Sequence, residues 1–304
     1  MKSFTFNKVY IIRSLDPGRK EYWTPGDVLL KEMTNEGVPC EIKDVLHGFS
    51  SFVEVTTSIY KECMSDGIRP IIHFICHGLG PNQLSQYNDG ALAIWNNDSQ
   101  KDELIQWEYV FYLLAPINKA SHFNLFITMS VCHGFYSAIK ILDPHYRIPF
   151  CGILASPDSV LVNSSMEYFK AFYLSLIHNK DVYVAIKQLL NNLMTFKDEY
   201  EKLGIDFERQ LVVFSDNLFT KAAKEDYQQN RNSNAKLRRT AIQAYHDAEG
   251  ITPSEGQIRA FVGLHPILFW KEFSKMRDSK FMLDVYPENK KILELPYSLN
   301  ELRT

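Results

Sequence analysis

Ile71-Ile72-His73-Phe74-Ile75-Cys76-His77-Gly78 and Phe126-Ile127-Thr128-Met129-Ser130-Val131-Cys132-His133-Gly134 are the two stretches on which the fold turns. Each is an apolar run of strand length, rich in β-branched and aromatic residues, and each reads as a buried central strand. Outward from them, Val9–Ser14, Cys40–Leu46, Ala91–Trp95, Ile148–Ala155 and Gln210–Phe214 read as further strands. Helical spacing or length marks Asp27–Asn35, Ser51–Met64, Glu103–Leu114 (ended by Ala115-Pro116), Phe135–Leu142, Ser164–His178 and Val182–Leu193. Strands alternating with helices predict an α/β fold with a mostly parallel sheet.

Near Ala222 the pattern changes. Lys224–Arg239 is polar throughout, and beyond it only Ile258–Phe273 is amphipathic. The expected division is therefore a domain over residues 1–222 and a mainly helical C-terminal extension over residues 223–304. The basic cluster Lys236, Arg238 and Arg239 reads as a solvated helix face.

Composition narrows the function. With 304 residues, 45% of them hydrophobic, and a formal net charge of −3, the chain has enough apolar content for a real core. That charge excludes a generic basic nucleic-acid binder and an acidic disordered chain. The five cysteines are too few, and odd in number, for a disulfide scaffold. The longest apolar run, Val110 to Ile117, contains Pro116 and is too short to span a bilayer. The first residues lack the long apolar segment of a secretory signal, so the expected setting is a reducing cytoplasm.

The chemistry gathers at the ends of the two central strands. In a parallel sheet the carboxyl ends share one edge, where functional residues collect. If the two strands are neighbours, His77 and Cys132 emerge there side by side. A thiol needs a base or a cationic neighbour to populate its thiolate at neutral pH, and a histidine serves as both. Gly78 and Gly134 would let the chain turn and let a carbonyl approach the backbone N–H groups. Adjacent strand residues point to opposite faces, so neither Cys76-His77 nor Cys132-His133 chelates one metal ion easily.

A strand ending in His-Gly, then 55 residues later a strand ending in a cysteine followed closely by glycine, resembles the caspase-like superfamily of cysteine peptidases. The chain looks most like the bacterial CHAT branch. Asp89-Gly90-Ala91-Leu92-Ala93-Ile94 followed by Leu104–Leu114 is similar to that branch's insert between the catalytic strands. Phe150 to Asp158 looks like its strand and substrate loop after the cysteine, and Met166–Leu190 like its closing helix pair. The resemblance covers residues 5–222. It implies a caspase-like three-layer α/β/α sandwich acting as a cysteine endopeptidase, with His77 as general acid or base and Cys132 as nucleophile. It further implies an oxyanion hole from the N–H groups of Gly78 and Cys132. Ser156–Val162, including Ser156, Asp158, Ser159 and Val160, would be the strand that pairs with an extended substrate. No metal or organic cofactor is implied. The implied partners are one dedicated protein substrate and an activating sensor, in a bacterial defence or cell-death pathway, with no nucleic acid or membrane. Control is expected through the loops 78–88 and 156–162 or through the appended segment 223–304, with Lys224–Arg239 as its cut or hinge site, rather than through a cut between His133 and Arg147. Two positions depart from the branch: Val131 stands where many relatives have alanine, and His133 where small or acidic residues are common. The alternatives are a non-catalytic caspase-like scaffold and a Cys-His acyl hydrolase.

Overall fold

The computed structural model describes residues 5–81, 83, 90–137, 149–205, 207 and 212–214, with residues 239, 242, 243, 246, 247, 250, 252–258, 275 and 278. Its centre is a sheet built in chain order from β1 (Lys8–Ser14), β2 (Cys40–Asp44), β3 (Pro70–Leu79), β6 (Phe126–Ser130), β7 (Gly152–Ala155) and β8 (Val212–Phe214), arranged β2-β1-β3-β6-β7-β8. The first five of these run parallel, and β8 is antiparallel to β7. An antiparallel hairpin, β4 (Ala91–Asn96) and β5 (Lys101–Gln106), hangs from the carboxyl end of β3.

Helices cover both faces, because alternate residues of each central strand are apolar in both directions. On one side Ile72, Phe74, Ile127 and Met129 pack with Phe52 and Ile59 of α2 (Gly48–Asp66) and Val110 and Leu114 of α3 (Trp107–Ala120). On the other side Val9, Ile11, Ile71, Ile75 and Phe126 meet three helices, α1 (Thr24–Asn35), α4 (Val162–Asn179) and α5 (Val182–Leu193). A short helix α6 (Lys197–Lys202) follows them. Local signals set the helix ends. Pro25 sits in the first turn of α1, Gly67 closes α2 in a left-handed conformation, and Asp181 caps α5 by accepting from the N–H groups of Tyr183 and Val184.

The mixed α/β architecture and the parallel centre agree with the sequence reading, but one element does not. Glu103–Gln106 belongs to β5, and α3 begins only at Trp107. The apolar spacing of Glu103–Leu114 is compatible with a helix, but the hairpin's pairing with β4 overrides it. Pro116 also lies inside α3 rather than ending it. The expected helix Phe135–Leu142 is described only as far as residues 136 and 137, and the extension 223–304 lies largely outside the described residues.

Candidate active site

The parallel register between β3 and β6 pairs Ile71 with Phe126, His73 with Thr128 and Ile75 with Ser130. The pairing ends there; two residues further on, His77 is still in β3, on the face that carries α1 and α4, and Cys132 is in the turn after β6. Beneath them on that face lies a buried polar column. The His73 imidazole hydrogen-bonds Thr128 Oγ1 through Nδ1 (2.7 Å) and Ser130 Oγ through Nε2 (3.2 Å), and Thr128 in turn bonds the Tyr173 hydroxyl. Burial drives His73 down to about 3, so it stays neutral, and its satisfied ring is a structural support for the two strands.

β3 does not turn at Gly78. The strand runs on to Leu79 and pairs with β4, His77 opposite Ala93 and Gly78 opposite Leu92. Glycine is needed at 78 for a different reason, because a Cβ there would lie 2.1 Å from the Cys132 carbonyl oxygen and 2.6 Å from Val131 Cγ1. The backbones of β3 and of the turn carrying Cys132 touch at this point.

His77 is half-buried, and the Tyr22 ring meets its imidazole edge-on with centroids 5.6 Å apart. Tyr22 belongs to the loop that leaves β1. That loop is pinned by the buried Arg13, whose guanidinium bonds Asp44, Asp27 and the Trp23 carbonyl and stacks on the Trp23 ring. Asp102, on the exposed side of β5, is also within electrostatic reach of His77. Partial desolvation raises its carboxyl, His77 opposes the rise, and Asp16 adds to it.

Cys132 is half-buried, in the turn after β6. Its Sγ accepts a hydrogen bond from the Val160 N–H at 3.3 Å. Burial raises the thiol; the N–H groups of Val160 and of Cys132 itself lower it, and Asp158 raises it again. Cys76 is the contrasting case. It sits in the core under α2 and α3, and burial lifts its thiol well above the ordinary range. Among the described residues no hydrogen bond joins the His77 imidazole to the Cys132 thiol.

Ser156–Val162 is not a strand. After β7 it bends back over the Cys132 turn, and Val162 already begins α4. Its backbone bonds are internal. Asp158 N–H donates to Ser156 Oγ, Ser159 N–H to Asp158 Oδ1, Val160 N–H to Cys132 Sγ, and Leu161 N–H to the Tyr200 hydroxyl. The carbonyls of Ser156 and Asp158 accept from Phe135 and His133. Ser156, Asp158 and Val160 therefore hold the turn that carries Cys132, Ser159 bonds Asp158, and the expected pairing edge is folded onto the protein. His133 is wedged into the same structure at a positive φ of 57°, with Nδ1–H donating to the Pro157 carbonyl at 3.1 Å. It fills space beside Gly80.

Sequence reasoning missed Tyr22, Asp102 and the Val160 amide. Tyr22 meets His77 from a loop, Asp102 stands within electrostatic reach of it on a hairpin, and a backbone donor leaves no mark in side-chain identity. Among the described residues no group of three or more His, Cys, Asp or Glu side chains is arranged to hold a metal ion, and no helix is long and apolar enough to cross a membrane. No protein-family model matches the chain, and no curated protein is similar enough to match it.

Proposed function

We propose that the chain is a cysteine endopeptidase of caspase-like architecture, with Cys132 as nucleophile and His77 as its acid–base partner. The observation that supports the reading is the β3–β6 pairing, from whose last pair, Ile75 with Ser130, His77 and Cys132 each stand two residues on, while Gly78 lies against the Cys132 carbonyl. The Cys132 thiol, raised by burial, needs a proton acceptor to react at neutral pH, and His77 has the chemistry to serve. Cys132 Sγ attacks the peptide carbonyl as His77 takes the thiol proton, and the oxyanion rests on the backbone N–H groups of Gly78 and Cys132. His77 then protonates the leaving amine as the C–N bond breaks. Water, deprotonated by His77, splits the thioester and restores the thiol.

A dedicated protein substrate and an upstream sensor belong to this reading through the CHAT resemblance. The closed Ser156–Leu161 segment supports them, since it must move before an extended peptide can lie along that edge. The same closure, with Cys132 bonded to Val160 rather than to His77, favours the second reading, a non-catalytic scaffold. Cleavage of a peptide library distinguishes them. The peptidase reading expects turnover that Cys132→Ala and His77→Ala each abolish without loss of folding. Turnover that survives Cys132→Ala overturns it, and hydrolysis of small esters alone would assign an acyl hydrolase.

A further inference from the structure

His77 is flanked on two edges of β3. On one edge stands the turn that carries Cys132. On the other, β4 takes over where β1 ends: the Trp95 N–H donates 2.8 Å to the hydroxyl of Ser14, the last residue of β1. The hairpin is thereby tied to the sheet next to His77. Its registers are His77 opposite Ala93, Ala93 opposite Leu104, and Trp95 opposite Asp102. Directly opposed residues of antiparallel strands share a face, so His77, Ala93, Leu104 and Asp102 lie on one side of this small sheet. The alternate residues Cys76, Leu92, Ile94 and Ile105 lie on the other side, in the core.

A separate contact fixes the same orientation. Glu103 turns toward α2, where its Oε2 accepts the Phe49 N–H at 2.9 Å. With Glu103 committed to that side, strand alternation sends Asp102 to the face of His77. On β4, which lies between the two strands, Ala93 stands at the level of His77 and Trp95 at the level of Asp102, with the Trp95 indole N–H donating to Asn97 Oδ1 at 2.8 Å. The other acids around this edge have cations of their own: Asp27 and Asp44 bond Arg13, and Asp16 lies near Arg19. Among the described residues Asp102 has no such ion pair.

We propose that Asp102 is a positioning residue of His77, a carboxylate on the same face of the hairpin whose charge favours the protonated imidazole opposite Cys132. The inference rests on the peptidase reading of His77 and Cys132. The ionisable groups around His77 are Tyr22 from the loop after β1, Asp102 from β5, Cys76 on its own strand, and Cys132 after β6, while Asp16, from the same loop as Tyr22, acts on Asp102. His77 opposes the rise of the Asp102 carboxyl caused by its desolvation, and in this role Asp102 acts on the Cys132 thiol through the imidazolium.

The sign of the effect separates this role from simpler ones. A carboxylate that favours the imidazolium also favours the thiolate beside it. Asp102→Asn should therefore raise the pH at which alkylation of Cys132 by iodoacetamide reaches half its plateau, by about half a unit to one unit. A carboxylate acting directly on the thiol would move that midpoint down when removed. Asp102→Glu should restore the profile, and Glu103→Gln, on the opposite face, should leave it in place while loosening α2. Alkylation measured across pH on the full chain, with each variant's folding checked by circular dichroism, decides the matter. An unshifted or lowered midpoint in Asp102→Asn, with alkylation still dependent on His77, overturns the role of Asp102 and leaves the dyad standing. Alkylation that is unchanged in His77→Gln overturns the dyad itself, and the role of Asp102 with it.

Discussion

A methyl group at position 78 has no room, because the atoms it would strike are a backbone carbonyl and a β-branched side chain, neither of which swings away. Gly78→Ala must push the Cys132 turn off β3. That overpacking should cost about 1–3 kcal/mol in urea unfolding and slow Cys132 alkylation at the same time. Equal alkylation rates in the variant and the parent would mean that the contact does not position the nucleophile. The glycine was legible in the sequence as a residue with a purpose, but the purposes expected of it were a turn and room for a substrate carbonyl. Close approach of two backbones leaves the same mark in a sequence as a tight turn, a lone glycine, and only the register separates them. His133 is a similar case. Its neighbour Cys132 drew attention to it, whereas its positive φ and its bond to Pro157 make it part of the turn's scaffold.

The central elements were legible because burial on both faces imposes composition. β3 and β6 had to be apolar in either direction, and α5 was found at its full length because Asp181 caps it and its apolar face is regular. β5 was missed because its pairing partner, β4, determines its conformation, while Lys101–Gln106 alone carries little strand signal. The segment after β7 was misread for a related reason. Ser156-Pro157-Asp158-Ser159 has turn-forming residues, and here the Ser156 hydroxyl and the Asp158 carboxylate bind the segment's own amides. Ser156 is buried, and its hydroxyl both accepts from Asp158 N–H and donates to Asp158 O. Removing it in Ser156→Ala should loosen the cover over Cys132. Loss of about 0.5–1.5 kcal/mol of hydrogen bonding corresponds to alkylation of Cys132 faster by about twofold to tenfold. A rate equal to or below the parent's would show that this turn does not shield the thiol.

Across the molecule, two apolar layers on either side of one sheet hold the carboxyl ends of β3 and β6 together, and everything attributed to the site follows from that adjacency. The loop after β1 is fastened by Arg13, the hairpin by Ser14 and Glu103, and the segment after β7 by Tyr200 and by Cys132 itself. Three separate connections thus converge on the edge where His77 and Cys132 stand, as expected for a site built at the strand ends of an open α/β sheet. The central claim is that His77 activates Cys132, and labelling with a thiol-reactive peptide ketone tests it most directly. Site-resolved mass spectrometry of the full chain should find a stoichiometric adduct on Cys132 and its loss in His77→Ala. An adduct on Cys76 instead, or an undiminished adduct on Cys132 in His77→Ala, would contradict the account.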